Sequence, residues 1–496
     1  MENSFMNNLV NETNYERTEN GALAYKSTRS AILDMFALCG AYRERSDEDC
    51  ITMFKNALAE SEPLALRCLF YLRDIRGGQG ERRFFRVCFH WLCDHNPAAA
   101  IRNLDKVSEY GRWDDLIYAA AGTKCEMDAF RIIKHQLALD VTCKTPSLLG
   151  KWMPSENTSS RATKAMAAAL RKYLGMSHKE YRKMLSVLRT RINIVEKLMS
   201  ENRWNEIQFD AIPSKAGLIY KNAFARRDII AKKYEIFAKD ENAKVNAATL
   251  YPYEIVKKAI SFAYDDPSET DIAMLEKYWN NQIDVLEGQP CKMLCVCDTS
   301  GSMMGTPINV AIGLSMYCAE RIGGPFKNHY ISFSSRPQLI KIEGANFIDK
   351  VRRIYATNLC ENTDIEATFD LLLKVARESK KEDIPDTIVI ISDMEIDAMT
   401  GSYWYSERTN QKRWTEDTAE TEMEKIRSKW EALGLDCPRL VYWNVNARNN
   451  TILDAGENIS FVSGFSPMLF KQILTGKNGM DLCLDVLMSK RYSCIK

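Results

Sequence analysis

The apolar run Met293-Leu294-Cys295-Val296-Cys297 ends in Asp298-Thr299-Ser300-Gly301-Ser302, and no other stretch restricts the fold as strongly. Apolar residues followed at once by turn formers read as a buried strand that stops at a polar edge. An aspartate and two serines at alternate positions there can all face one point. Such oxygens suit a hard divalent cation, Mg²⁺ or Mn²⁺, with near-octahedral ligands at about 2.1 Å and several retained waters. In this reading two hydroxyls bind directly and the aspartate holds a metal water. A shell so poor in negative charge leaves the ion able to take an acidic group from outside. That is the property of a binding site rather than a hydrolytic one.

The remaining ligands lie downstream. Thr363-Asp364 opens a helix-like stretch, Ile365 to Ser379, and Ser392-Asp393 ends a second strand-like run, Thr387 to Ile391. Asp298, Ser300, Ser302, Thr363 and Asp393 thus sit where strands end and helices begin, the edge at which ligands gather in an open α/β sheet. Singly, Thr363 reads equally as a helix N-cap and Asp393 as a turn residue; in this order and context the five favour a metal site. From about Cys291 onward the chain resembles the von Willebrand factor A (vWA) domain with its metal-ion-dependent adhesion site. The resemblance implies a Rossmann-like α/β fold, with Ser300, Ser302 and Thr363 as direct ligands and Asp298 and Asp393 acting through water. The element order agrees: helix Ile308–Arg321, strands His329–Ser334 and Gln338–Glu343, helix Ala419–Leu433, strands Arg439–Val445 and Ile459–Val462, helical Ser466–Leu474. Strands alternating with helices predict a mostly parallel sheet covered on both faces. Met399 to Asp417 has little periodicity and reads as an inserted loop near the site.

At 496 residues the chain is too long for one hydrophobic core. Its first 285 or so residues carry apolar positions at helical spacing. Helices are expected at Ala31–Cys39, Cys50–Glu60, Pro63–Leu72, Arg82–Cys93, Ala98–Val107, Trp113–Ala121, Cys125–Leu139, Arg161–Leu174, His178–Met199, Ile219–Ala238 and Tyr253–Ala263. Many helices joined by short turns, with no β alternation, suggest an all-α solenoid of the HEAT type, open or closed into a ring; a compact helical domain is the plainer alternative. No constant repeat length appears, so the solenoid is irregular. The expected division is a flexible tail at 1–24, a helical repeat domain at 25–288 and an α/β domain at 289–496. No run approaches the ~18 apolar residues of a membrane span. The polar N-terminus lacks the basic and apolar regions of a secretory signal. Fifteen cysteines lie scattered in apolar patterns without CxxC or zinc spacing, which predicts buried thiols in a reducing compartment, the cytoplasm.

Lysine plus arginine (67) nearly balances aspartate plus glutamate (66), but the balance hides a patch. Residues 151–250 hold 20 basic against 10 acidic side chains, and 161–197 hold ten basic against Glu180 and Glu196 alone. Arg171, Lys172, Lys179, Arg182, Lys183, Arg189 and Arg191 outnumber any nearby acids, and Lys215, Lys221, Arg226, Arg227, Lys232 and Lys233 extend the surface. Such density attracts phosphate backbones. Tyr173, Tyr181, Trp204, Tyr220 and Phe224 between them could stack bases. A solvated helix face over the apolar stripe Met184, Leu185, Leu188, Ile192 and Val195 explains the charge as well.

Gly175-Met176-Ser177-His178-Lys179-Glu180-Tyr181 is similar to the Gly-Trp-Ser-His-Lys-Asp-Leu signature of the TROVE domain of Ro-type RNA-binding proteins, with Met176 in place of the tryptophan. That family couples a ring of HEAT-like helices to a C-terminal vWA domain, the order expected here, and the resemblance adds His178 to the RNA candidates. Arg73–Glu81, Tyr110–Leu116 and Val462–Pro467 resemble a TROVE-like family of unknown function, so the likeness spans roughly residues 25–490. Glycines 77, 78 and 80 mimic a phosphate loop, but no strand precedes them and no Gly-Lys-Ser/Thr follows. An inter-helix turn, with Asp74 paired to an arginine, is the expectation. Tyr110–Leu116 reads as a turn and helix start, with Asp114 and Asp115 favouring the dipole.

No Ser–His–Asp pattern, no Cys–His nucleophile, no GxSxG elbow and no HExxH occur, and no enzymatic activity is expected. Two binding readings remain: an RNA-binding scaffold or ribonucleoprotein component, and a Mg²⁺-dependent protein-interaction module that captures a partner's Asp or Glu.

Overall fold

A computed structural model describes residues 14–192, 194–247, 250–262, 265–333, 336–357, 364–397, 403–405, 412–414, 421–454, 456 and 458–496. The chain forms two compact units: a sheet unit from residues 1–45 and 250–486, and a helical unit from 46–249 and 487–496. The limits expected at 24/25 and 288/289 do not coincide with these divisions. Among the described residues no helix is long and apolar enough to cross a membrane.

The sheet unit holds six strands in the order β10 (Ile459–Ser463), β9 (Arg439–Asn444), β6 (Thr387–Ser392), β3 (Met293–Asp298), β4 (His329–Phe333) and β5 (Leu339–Lys341). All neighbours run parallel except β4 and β5. Every residue of β3, β9 and β10 is buried, which accounts for their mainly apolar character. The helix Thr306–Arg321 is buried from Ile308 to Ala319, and apolar residues all round it follow from that burial. A Cβ on its Gly313 would stand 2.9 Å from the backbone nitrogen of Tyr253. Glycine therefore lets the helix Pro252–Ile260 lie directly against it. Helices Glu269–Asn280, Phe347–Thr357 and Gly479–Leu487 have no counterpart in the sequence reading. The first two meet through Trp279, which stacks on Phe347 at 4.6 Å, and through Glu276, which accepts from the Phe347 amide at 2.7 Å.

Residues 14–24, expected to belong to a flexible tail, form with Tyr25 a hairpin of β1 (Tyr15–Arg17) and β2 (Leu23–Tyr25). It is fixed to the sheet unit by paired backbone bonds between Tyr25 and Ile452, at 2.8 and 2.9 Å. Residues 1–13 lie outside the described residues, as does most of the loop expected at 399–417; within that loop β7 (Tyr403–Tyr405) pairs antiparallel with β8 (Lys412–Trp414).

In the helical unit the caps follow local chemistry. Ser46 and Asp49 form a capping box at Asp47–Glu60. Two expected helices are each broken. His178–Met199 divides into His178–Arg191 and Val195–Ser200, and Ile219–Ala238 divides into Ser214–Ala225 and Asp228–Lys239. The second break comes where Arg227 turns extended (φ −128°, ψ 110°), which folds Tyr234 back against Phe224 with ring centroids 5.5 Å apart. Tertiary packing overrides the uninterrupted helical pattern there. The glycine-rich segment after Arg73 is an inter-helix turn. A Cβ on Gly78 would meet the Tyr71 carbonyl oxygen at 2.0 Å, and Gly80 has φ +65°. Fully buried Asp74 accepts from Arg491 Nη2 at 2.7 Å and from the Tyr492 hydroxyl at 2.9 Å, fastening residues 487–496 to this unit. Arg73 is buried against Asp115 at 2.6 Å, and Asp115 also accepts from Arg86 Nε at 2.6 Å and from the Arg112 amide at 2.9 Å.

Candidate functional site

From β3 the chain moves to β4 on one side of the sheet, and it later returns to β6 on the other. Such a reversal opens a crevice at the carboxyl ends of β3 and β6, the place where open α/β sheets bind ligands. Asp298 closes β3, and Ser392-Asp393 closes β6 directly beside it. The Ser392 hydroxyl donates to Asp298 Oδ2 at 2.5 Å, and the Ser300 amide donates to Asp298 Oδ1 at 2.9 Å. Ser300 and Ser302 hydroxyls lie 3.0 Å apart, and Ser302 also hydrogen-bonds the Asp393 carboxylate. Four of the five expected ligands therefore form one cluster of oxygens. Thr363 lies outside the described residues; next to it, Asp364 caps the helix Ile365–Glu378 by accepting from the Ala367 amide at 2.8 Å.

Charge in this cluster is poorly compensated. Asp298 is fully buried, and its pKa is pushed up to about 7, by burial first and then by repulsion from Asp393, against the hydrogen bonds from Ser392 and Ser300. Burial raises Asp393 and Glu395 as well. Met394 between them has φ +66°, a conformation costly for a side chain with a Cβ and found where a site fixes its backbone. Among the described residues no three His, Cys, Asp or Glu side chains form a metal-binding group, so hydroxyl oxygens must contribute to any cation site here. The described cysteines are all free thiols, most of them buried.

Sequence reasoning missed three neighbours. Ser392 stands next to Asp393 in the chain and was open to notice. Arg448 reaches Asp393 Oδ2 with Nη2 at 3.1 Å, and Glu19 meets Arg448 Nη1 at 2.8 Å. Nothing local marks these two, because a distant loop and the hairpin turn deliver them.

The basic candidates fall into two groups. Arg189 donates three bonds to its own chain, to Gly150 O at 2.9 Å, Ser155 Oγ at 2.9 Å and Met153 O at 3.0 Å. Arg191 caps the carbonyls of Asp140, Val141 and Cys143. Arg171 pairs with Glu156 at 2.9 Å, which His178 also meets at 2.9 Å. Arg227 lies 3.6 Å over the Trp204 ring, and Lys221 is half-buried. Lys172, Lys179, Arg182, Lys183, Lys215 and Arg226 are exposed. The expected stacking rings fare differently. Tyr181, Trp204 and Phe224 are buried, Tyr181 with its hydroxyl on Pro154 O at 2.8 Å, and rings buried in a core offer no face to a base. Tyr173 and Tyr220 remain half-buried.

The seven residues Gly175–Tyr181 turn one helix into the next. The Met176 amide bonds Arg171 O at 3.2 Å and the Gly175 amide bonds Lys172 O at 3.0 Å, with Gly175 at φ +68°, a Schellman stop. Ser177 and Glu180 then form a capping box, and Tyr181 anchors the new helix. His178 and Lys179 are exposed, the former against Glu156.

Residues 292–488 match the domain of unknown function DUF7788, and residues 18–128 and 145–303 match the domain of unknown function DUF2828. An uncharacterised protein of Acanthamoeba polyphaga mimivirus is 28% identical over 521 residues, covering 96% of this chain and 87% of that protein. Among solved structures, the Ro (RSR) protein of Deinococcus radiodurans aligns with 93% of this chain and 99% of its own, at 12% identity and a TM-score of 0.46. With more than half of its residues matched by that one model, the chain belongs to the DUF2828 family.

Proposed function

We propose that this protein is a binding scaffold of the ribonucleoprotein kind and not an enzyme. In this reading the sheet unit is a vWA-like domain that holds one Mg²⁺ or Mn²⁺, and the helical unit, a HEAT-like solenoid, contacts RNA. The carrying observation is the pairing of Asp298 with Asp393, two buried carboxylates whose ionised forms repel each other, beside two serine hydroxyls. A divalent cation relieves that repulsion. Asp298, Ser300, Ser302 and Asp393 would hold it, with Thr363, and the bound ion would supply an open position for an acidic group. Calorimetric titration of the full chain with MgCl₂ tests this: one site is expected, abolished in Asp298→Ala with the circular dichroism unchanged. Undiminished affinity in that variant would sink the metal reading.

The RNA half is supported by exposed Lys172, Lys179, Arg182 and Lys183 at the turn that resembles the TROVE signature. Because Arg189 and Arg191 hold their own backbone, the informative variant replaces Lys172, Lys179, Arg182 and Lys183 by Ala. Filter binding of a single-stranded RNA across a salt series should show weaker binding, and a log–log slope flatter by about 0.7 for each phosphate that is no longer neutralised. Equal slopes for variant and wild type would move RNA off this surface. Met304, 53% exposed beside the serines, favours the second reading, a Mg²⁺-dependent protein partner presenting an acid next to an apolar group. A protein pull-down lost in EDTA, without RNA retention, would single out that reading.

A further inference from the structure

A relay of charges joins the β1–β2 hairpin to the candidate metal site. The hairpin turn docks on the segment after β6: the Thr18 hydroxyl donates to Ile396 O at 2.8 Å, the Glu19 amide to Glu395 Oε2 at 2.7 Å and Asn20 Nδ2 to Glu395 O at 2.7 Å. Asn449 Nδ2 is shared between Glu395 Oε1 at 3.0 Å and Glu19 Oε1 at 3.3 Å. Between hairpin and site stands Arg448, with one nitrogen on Glu19 and the other on Asp393. Asp393 has almost no exposure to solvent, whereas the side chains of Arg448 and Glu19 are 32% and 45% exposed. The arginine can therefore move while the aspartate cannot.

A guanidinium on Asp393 Oδ2 does part of what a divalent cation there would do. Two cations crowded onto one carboxylate repel each other, and the low local dielectric strengthens that repulsion. When one enters, the other must yield. Arg448 keeps a partner if it yields, because Glu19 already holds its other end.

We propose that Arg448 is a built-in competitor for the metal at Asp393, and that Glu19 sets the strength of the competition by drawing the guanidinium away. The inference rests on the metal reading above. In the metal-loaded protein Arg448 leans on Glu19 alone, so loading tightens the hairpin turn. By reciprocity, a docked hairpin favours loading. Arg448 and Glu19 are positioning residues here and touch no ligand.

A thermodynamic cycle on the full chain tests the relay, with Mg²⁺ affinity read by calorimetry for wild type, Arg448→Gln, Glu19→Gln and the double variant. Arg448→Gln should bind Mg²⁺ roughly tenfold more tightly, and Glu19→Gln roughly tenfold more weakly, within the usual range of coupling between sites. In the Arg448→Gln background, Glu19→Gln should change nothing, since its effect passes through the arginine. Equal weakening in both backgrounds would mean that Glu19 acts only through its own field and would overturn the relay. Unchanged affinity in Arg448→Gln, with lowered stability, would reduce that residue to a structural tie. Glu19 sits in an exposed turn, so its variant folds even if the arginine variant does not. Amide exchange of residues 15–25 gives an independent readout: Mg²⁺ should slow it in wild type and leave it unaltered in Glu19→Gln, and unaltered exchange in wild type would count against the proposal. Metal binding in wild type with a flat cycle defeats the relay alone. No binding in either wild type or Arg448→Gln defeats the metal reading with it.

Discussion

Asp298 is sealed from solvent, and its folded pKa of about 7 stands well above the ordinary aspartate value of 3.8. Between those two values the folded protein holds a proton that the unfolded chain has released. The contribution of Asp298 to the stability of the metal-free protein therefore falls as pH rises from about 4 to about 7 and is level on either side. The Asp298 share is on the order of 4 kcal/mol at most, at about 1.4 kcal/mol per pH unit. Urea midpoints measured in EDTA across that window should decline less steeply for Asp298→Asn, and parallel profiles would refute the assignment. On the proposed metal reading Mg²⁺ takes the ionised carboxylate, so its affinity should climb as pH approaches 7 and then flatten. The sequence revealed this residue and Ser300, Ser302 and Asp393, because each lies at the end of an apolar run where local pattern suffices. It did not reveal Arg448 or Glu19, whose meeting depends on a hairpin and a loop far apart in the chain.

Among elements, the turn at Gly175–Tyr181 is informative because most of its residues have backbone duties. Gly175, Ser177 and Glu180 meet the requirements of stopping one helix and starting another, so the ligand information in the signature rests on the exposed basic residues beside them. Arg189, in the last turn of the helix His178–Arg191, belongs to the same scaffold. Arg189→Ala leaves the carbonyls of Gly150 and Met153 without their donor and should cost about 3 kcal/mol in urea unfolding. Lys183→Ala, on the exposed face, should stay within about 0.5 kcal/mol of wild type. Similar losses for both would show that the division into structural and outward-facing bases is wrong. Helical periodicity located most of these helices but ran past the helix ends at Arg191 and Ala225. Arg226 and Arg227 after the second are neither Gly nor Pro, and that break is imposed by the packing of Tyr234 on Phe224.

For the molecule as a whole, the divisions between units fall at 45/46, 249/250 and 486/487, so each unit is assembled from distant parts of the chain. The step from helical repeats to alternating strands is visible in the sequence. The return of residues 487–496 to the helices is not, since it depends on side chains far away in the chain, buried Asp74 against Arg491 and Tyr492 and Asn103 against the Lys496 amide. Asp74→Ala strips Arg491 and Tyr492 of their partner and should destabilise the helical unit by about 3 kcal/mol. Rapid amide exchange at 487–496 in that variant, with the sheet strands still protected, is the expected signature; unchanged protection there would argue that other interactions suffice. The order in which a ribosome delivers these parts follows from the same divisions. The hairpin around Glu19 emerges early, while Asn449, to which it bonds, is made 430 residues later. At about 5–20 residues per second that interval is on the order of a minute. Asp74 waits nearly as long for Arg491. Each unit stays open until its later-made part has emerged, so its apolar surface is uncovered for longer than that of a unit built from consecutive residues.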